Sequence, residues 1–275
     1  MVTDLIDLFS SEGIDAISLL QFPAISDLVA TWQHNGRQGD PVEYIVHLTK
    51  GFQLKGIDMR WEARVQVGDI CLCHDKNADP FQPIVLSLES EHCNDRDVLL
   101  SQLVLDWSNQ LGMQFALIGD CPLVCLHIDR NLIAGDGSIS RQDVLVNFHG
   151  GCELPFFTDT GLTVVWKEFQ VVSLVTHVGT DEAGHCQSLL MVQPDTRGMP
   201  KPFLSLLTDD WTYPKRLWKA PNWISGNAVC LWLCETSHLN LFRLPPLPPF
   251  GEMSRTSLQR SAEGITMLQA MEGLL

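Results

Sequence analysis

Residues 169–179 have the sequence FQVVSLVTHVG, the densest strand pattern in the chain. Its β-branched and apolar composition predicts a buried β-strand. The segment GTDEAG at 179–184 contains two glycines and two acidic residues, which predicts a loop, and apolar residues then resume as a second strand over 185–192. The second half of the chain is therefore predicted to contain a hairpin with His185 at the first position of its second strand.

Strand and helix patterns surround this hairpin on both sides. Helical spacing of apolar residues occurs over 1–33, and a helix is predicted from Pro41 to about Lys50, with Asp40 as its N-cap and Glu43 in its first turn. A further helical stretch covers 98–109. Strands are predicted at 59–67, 68–73, 84–88, 123–128, 144–148 and 229–234, with a glycine-rich turn at 135–140. The chain thus begins helical and becomes mainly antiparallel β, an α+β arrangement.

Charge and hydropathy exclude several classes of protein. The 275 residues carry a formal net charge of −15, which repels phosphate backbones, so we expect no nucleic acid partner. The longest apolar runs fall far short of the ~20 residues that cross a bilayer, so no membrane partner is expected. Residues 1–7 contain two Asp and no Lys or Arg, unlike a signal peptide. We expect a cytoplasmic or nuclear protein.

The cysteines indicate a reducing compartment. There are nine, an odd number, and several lie in apolar strand patterns, which predicts buried free thiols rather than a disulfide scaffold. The run CLCH at 71–74 offers three soft metal ligands, but zinc sites usually pair ligands across a knuckle of two to four residues and then repeat the pair. The sequence shows no such second pair. We therefore expect ordinary strand cysteines, no metal and no cofactor.

His185 is the leading candidate for chemistry. At the mouth of a hairpin, next to Gly184, it can present one ring nitrogen to a cleft while a carboxylate orients the other, as in Cys–His–Asp hydrolases. Asp209 and Asp210 supply that carboxylate about two dozen residues later. The alternative is a structural histidine at a strand end.

Five segments, in this order, resemble the ubiquitin-specific proteases. The histidine box of that family, Y-x-L-x-A-V-V-x-H-x-G followed by G-H-Y, is similar to residues 169–186. The other four similarities are weaker. RQGDPVEY at 37–44 resembles Q-Q-D-A-x-E-F, CPLVCLHIDR at 121–130 resembles P-x-x-L-x-x-x-L-x-R-F, LLTDDW at 206–211 resembles F-x-D-D, and the strand at 228–233 resembles A-Y-x-L-x-Y.

The resemblance implies a partial papain-like cysteine protease fold, comprising the thumb end, short fingers and an antiparallel β palm. It implies that His185 is the general base and that Asp209 orients it, with Asp210 as neighbour and possible substitute. It also places Gln38, Asp40 and Glu43 on the helix near the tail of ubiquitin. The implied partner is ubiquitin or a ubiquitin-like modifier, bound weakly.

The sequence also departs from the family pattern. The family's nucleophile lies in an N-terminal N-x-G-N-x-C box, yet no cysteine precedes Cys71. Cys186 stands where the family has Tyr, and it should face away from His185 because adjacent strand residues point to opposite sides. Paired C-x-x-C knuckles are missing from the fingers. Without a thiolate there is no acyl intermediate.

Three interpretations follow. The first is a ubiquitin-specific-protease-like protein, cysteine-type and thiol-dependent when complete, here either a piece of a longer chain or an inactive pseudo-enzyme. The second is a non-catalytic ubiquitin-binding or interaction scaffold. The third, a hydrolase that uses Cys71, Cys121 or Cys125, is the least favoured, since none lies at a helix N-terminus that lowers a thiol pKa.

The organisation that we predict has four parts. Residues 1–36 form a helical remnant of the thumb, and 37–244 form the protease-like domain without its cysteine box. The Pro-rich segment 245–253 is a linker in polyproline conformation. Residues 254–275 form an amphipathic helix, which either packs on the domain or binds a partner.

Overall fold

A computed structural model describes residues 30–32, 40–52, 57–88, 97–133, 136–137, 139–148, 151–179, 184–192, 203–207, 215–217 and 222–242. Within these ranges the helices are α1 Pro41–Phe52, α2 Leu100–Ser108 and α3 Asn222–Asn227, with short 3-10 helices at Gln110–Gly112 and Thr236–Phe242. The strands are β1 Trp61–Val67, β2 Ile70–Asn77, β3 Ile84–Ser87, β4 Asp97–Leu99, β5 Gln114–Leu117, β6 Leu123–Asp129, β7 Asn131–Ile133, β8 Ile139–Arg141, β9 Leu145–Asn147, β10 Cys152–Phe157, β11 Val164–Gly179, β12 Gly184–Val192, β13 Phe203–Leu207, β14 Lys215–Leu217 and β15 Ala228–Glu235.

A large mixed sheet dominates the structure and confirms the coarse α+β prediction. Eleven strands belong to it, with the main order β14-β13-β12-β11-β10-β5-β1-β2, while β15 joins β11 to β6 and β3 pairs with β6. Most neighbours are antiparallel, but β10 with β5 and β3 with β6 are parallel. Two small sheets, β4 with β9 and β7 with β8, complete the strand pairing of the described residues.

The long strand β11 organises this sheet. Its 16 residues pair with β10 over Val164–Phe169, with β12 over Ser173–Gly179 and with β15 over Phe169–Thr176. Phe169 and Leu174 are fully buried in the core beneath it. The sequence predicts its apolar part, and the structure extends the strand backwards through residues 164–168, which are more exposed.

Other elements differ from their predicted bounds. The helix predicted over 98–109 begins only at Leu100, because the residues before it form β4 against β9. The predicted turn at 135–140 is partly the strand β8. The sequence analysis did not identify β5, β10, β13 or β14. Predicted elements at 1–29, 245–253 and 254–275 lie outside the described residues.

Free thiols take part in the core, as expected. The Cys121 Sγ accepts the backbone N–H of Asp58 at 3.1 Å and donates to the carbonyl of Leu123 at 2.9 Å, while the Met59 Sδ accepts the N–H of Cys125 at 3.0 Å. Sulfur atoms thereby attach the segment before β1 to β6. The buried free cysteines of the described residues are Cys121, Cys125, Cys152, Cys230 and Cys234.

A buried arginine follows β6. Arg130 donates hydrogen bonds to four backbone carbonyls: Ala228 at 2.9 Å, Ser225 at 2.8 Å, Val144 at 2.8 Å and Gln142 at 3.1 Å. Burial lowers the pKa of its guanidinium to about 10, with Arg141 adding to the shift and Asp143 opposing it. The group is therefore charged at neutral pH, and it joins the end of β6 to α3, to β15 and to the approach to β9.

No helix within the described part of the chain is both long enough and apolar enough to cross a membrane.

Replacement of Arg130 by Met should destabilise the protein by about 3 kcal/mol or more, because four buried carbonyls lose a charged donor. Urea unfolding followed by circular dichroism measures this loss. The matched control is Arg60→Met, which removes an exposed pair with Asp58 and should cost less than about 1 kcal/mol. Equal losses in the two variants would contradict the role of Arg130.

Candidate functional site

The β11–β12 hairpin forms as predicted, and the backbone of His185 lies near its mouth. Gly179 pairs with Gly184, Val178 with His185, and His177 with Cys186. His185 is the second residue of β12, since that strand begins at Gly184, one residue earlier than predicted. The backbone of His185 is described, whereas Asp209, Asp210 and Gln38 lie outside the described residues, so their predicted roles stay predictions.

Strand β13 runs back along β12 towards this mouth. Val192 pairs with Phe203 and Ser188 pairs with Leu207, in antiparallel register. The last residue of β13 therefore lies opposite a position only three residues beyond His185. The chain leaves β13 at the end of the sheet where the histidine lies.

Arg141, at the end of β8, binds the last part of β11. Its Nη1 lies 3.0 Å from Nδ1 of His177, and its Nη2 donates to the His177 carbonyl at 2.7 Å and to Oδ1 of Asn227 at 3.1 Å. A guanidinium has only donors, so Nδ1 accepts and the hydrogen of the neutral ring is on Nε2. Sequence analysis did not find this cluster, whose members are distant in the chain and form no local motif.

Gly184 is required at the start of β12. A Cβ atom at this position would overlap Nε2 and Cε1 of His177 and come within 2.8 Å of the Val178 carbonyl oxygen. Only glycine permits this approach of backbone to imidazole. The His177 ring thus fixes the backbone immediately before His185.

Asp40 lies at the N-terminus of helix α1. The Asp40 Oδ1 accepts the N–H of Val42 at 2.7 Å, which confirms the predicted N-cap. Its negative charge affects the pKa of two other residues. Burial lowers the pKa of His127, and the Asp40 and Asp129 carboxylates oppose that shift. Asp40 also contributes to the raised pKa of Cys186.

Glu43 is exposed in the first turn of α1. The next residue, Tyr44, meets the ring of Trp32 edge to face, with 5.3 Å between ring centroids. This aromatic contact holds one side of the helix against residues 30–32 and leaves the Glu43 side accessible. Asp40 and Glu43 are thus described and exposed, as a binding role requires.

Four of the described thiols, those of Cys121, Cys125, Cys152 and Cys186, are poorly suited to nucleophilic attack. Although Cys186 is exposed at the surface, the protein around its sulfur raises the pKa of that thiol to about 11, with Cys230 and Asp40 adding to the shift and Arg141 opposing it. Burial raises the pKa of Cys121 to about 11 and that of Cys152 to about 12, and it raises the pKa of Cys125 well above its usual range. A reactive cysteine needs the opposite shift.

Metal ligands do not gather in the described part of the chain. Within it, no three His, Cys, Asp or Glu side chains are grouped so as to hold an ion. The run at 71–74 lies on β2, where Cys73 is exposed and Cys71 is partly exposed.

Comparisons with known proteins give structural similarity only. No protein-family model matches the sequence, and no curated protein matches it significantly. A similar solved structure is a yeast SAGA DUB module with an Sgf73 mutant, which has 13% sequence identity and a TM-score of 0.44 over 80% of this chain and 48% of that chain. The Ubp8-Sgf11-Sgf73-Sus1 SAGA DUB module has 15% identity and a TM-score of 0.46 over 84% of this chain and 50% of that chain. The SAGA Ubp8/Sgf11/Sus1/Sgf73 DUB module bound to ubiquitin aldehyde has 14% identity and a TM-score of 0.45 over 81% of this chain and 49% of that chain. This chain spans about half the length of the chains that it matches. Such similarity concerns the arrangement of the chain and assigns it no activity.

A Gly184→Ala substitution should destabilise the hairpin by about 1–3 kcal/mol, since the added methyl group overlaps the His177 ring and the Val178 carbonyl. Urea unfolding gives the loss, and the histidine resonances in NMR spectra report displacement of the ring. Gly226→Ala serves as the control, because its nearest neighbour would be Cδ2 of Leu145 at 3.3 Å. A Gly184→Ala protein as stable as this control would show that the ring does not constrain β12.

Proposed function

We propose that this chain is a ubiquitin-specific-protease-like protein that carries the histidine side of a thiol protease site and binds the tail of ubiquitin or a ubiquitin-like modifier. His185 is the general base, Asp209 orients its imidazole, and Asp210 is the neighbouring carboxylate. Gln38, Asp40 and Glu43 form part of the groove for the tail. The fold is the partial papain-like arrangement of thumb end, short fingers and antiparallel β palm.

One observation carries the proposal: β13 runs back along β12, so the chain leaves the sheet at the end where His185 lies. The hairpin and the segment that follows β13 are the two parts of the chain for which the family resemblance implies the general base and its orienting carboxylate. Asp40 of α1, for which the resemblance implies substrate binding, adds to the raised pKa of Cys186, the neighbour of His185.

The register of β13 supports the role of the acidic pair. Because Leu207 lies opposite Ser188, the chain reaches Asp209 two residues after leaving the sheet at the His185 end. A carboxylate that orients an imidazole must come within about 2.6–3.2 Å of a ring nitrogen. The short connection from β13 suits this requirement.

The nucleophile is the part that this sequence does not supply. Cys186 neighbours His185 on the same strand and so faces away from it. The raised pKa values of Cys121, Cys125, Cys152 and Cys186 keep these thiols protonated at neutral pH. These properties also support the second candidate function, a non-catalytic ubiquitin-binding scaffold.

The chain alone should not hydrolyse a ubiquitin–fluorophore conjugate, because a general base and its carboxylate cannot replace the missing thiolate. Fluorescence release over several hours measures this, with an active ubiquitin-specific protease as positive control. Turnover that is abolished by alkylation and maps to one of the nine cysteines would contradict the assignment of the site.

Ubiquitin should bind weakly, with a Kd on the order of 10 μM or higher, equivalent to roughly 7 kcal/mol or less. Exposed ion pairs contribute only ~0.2–1 kcal/mol each, and a groove that lacks one wall loses apolar burial. Higher salt should weaken binding further, since screening acts beyond ~8 Å. Titration calorimetry at low and high ionic strength measures both effects.

Charge reversal tests the location of this binding. Glu43→Lys should weaken it several-fold, whereas Asp69→Lys, in the exposed turn between β1 and β2 at the far edge of the sheet, should leave it unchanged. Tight binding that is unaffected by salt and by Glu43→Lys would show that ubiquitin contacts another part of the protein than the first turn of α1. No binding at all would refute the ubiquitin-binding role for both candidate functions.

A further inference from the structure

An open groove of about 600 Å³ lies between α2 and the β10–β11 pair. Leu105 and Trp166 supply apolar surface and are 44% and 36% exposed. Ser101 and Gln102 of α2 line the same groove, together with Glu153 and Glu168. It therefore combines an aromatic and aliphatic surface with two carboxylates.

The two glutamates lie directly opposite each other. Glu153 of β10 pairs with Glu168 of β11, and the next pair on the same face of the sheet is Pro155 with Trp166. Like charges at directly opposed positions destabilise a sheet. The local sheet thus holds two negative charges side by side, next to the exposed indole.

Two basic side chains in this part of the sheet, those of Lys167 and Arg64, interact with groups other than these glutamates. Lys167 contacts Asp120 at 3.0 Å and stacks over the ring of Phe156. Arg64 lies over Phe157, bonded to Glu62 and to the carbonyls of Asp159 and Gly161. Among the residues that the structure describes, neither Glu153 nor Glu168 has an ion pair or a hydrogen bond with a cation.

We propose that this groove docks a basic segment of a partner protein. A lysine or arginine side chain lies between Glu153 and Glu168, and its aliphatic stem, or an adjacent apolar residue, packs on Trp166 and Leu105. A cation in this position is attracted both by the face of the indole ring and by the two carboxylates. Charge complementarity excludes phosphate-rich ligands and anionic membranes as occupants.

This site is separate from the histidine hairpin. Glu168 precedes His177 by nine residues on β11, a distance of about 30 Å along an extended strand. The groove is therefore not a continuation of the proposed ubiquitin tail site, and its occupant binds a different part of the sheet. Binding of the basic segment in this groove therefore does not depend on any activity of His185.

Titration calorimetry of the full chain with a synthetic peptide tests the proposal. The probe is an amidated peptide of about twelve residues that repeats alanine, lysine and leucine, and its twin carries glutamine in place of lysine. We expect a Kd on the order of 100 μM at low salt for the basic peptide, no binding of the twin, and a shift of the Trp166 indole resonance in NMR spectra.

Two variants locate the contact. The pair Glu153→Gln with Glu168→Gln should weaken binding roughly tenfold, and Trp166→Ala should weaken it several-fold. The charge-matched control, Asp69→Asn with Asp75→Asn on the β1–β2 hairpin, should bind as the unmodified chain does. Unchanged affinity in the glutamine variant, or equal loss in the control, would overturn the proposal.

The source of the affinity is tested with spermine. Spermine that binds as tightly as the basic peptide would show that charge alone acts and that the groove docks no peptide segment, which would overturn the proposal. Failure of the basic peptide to bind would also overturn the proposal. A thermal unfolding profile of each variant confirms that lost binding does not reflect lost folding.

Discussion

The buried guanidinium of Arg130 is the interaction on which the rest of the structure depends. A charge in a protein interior is tolerated only when its donors are satisfied. Here four backbone carbonyls from two separated parts of the chain, residues 142–144 and 225–228, do so. The same side chain therefore fixes the end of β6, the residues before β9, helix α3 and the first residue of β15. No local interaction could hold these elements in register.

The candidate site inherits its geometry from this arginine. Ser225 and Gln142, which accept hydrogen bonds from Arg130, are close in sequence to Asn227 and Arg141. Arg141 in turn binds Asn227 and the His177 ring, and that ring lies against Gly184, the residue before His185. Polar contacts and short stretches of backbone thus lead from the core to the start of β12. The backbone position of His185 therefore depends on contacts between elements that are distant in the sequence.

Sequence patterns predict the central strands well because composition decides them. Residues 229–234 are apolar throughout, 123–128 are apolar except for His127, and 169–177 are rich in β-branched and apolar residues, as expected for strands in the middle of a sheet. The sequence does not predict strand β10, because Glu153 and Pro155 interrupt its apolar pattern. Both residues are nevertheless part of the strand, where they pair with Glu168 and Trp166 of β11. The four residues of β5 are too few to show a period. Asp97–Leu99 forms a strand only because Leu145–Asn147 lies beside it.

The site was predicted only in part, for a similar reason. The hairpin and the Asp40 cap are local features, so motif and spacing identify them. The contact between Arg141 and His177 links elements 36 residues apart, and the contact between Arg141 and Asn227 links elements 86 residues apart. Neither can be inferred from neighbouring residues. Long-range contacts of buried polar groups are set by topology, which a pattern of residue types does not encode.

The place of β15 has a consequence for how the protein is made. This strand is inserted between β11 and β6, yet it follows both in the chain, and Arg130 finds two of its four acceptors in residues 225 and 228. During translation, at about 5–20 residues per second, β6 and β11 leave the ribosome several seconds before their shared neighbour. Each exposes an unpaired apolar edge in that interval. The central sheet cannot be completed until Glu235 emerges, and the nascent chain keeps these two edges exposed until then.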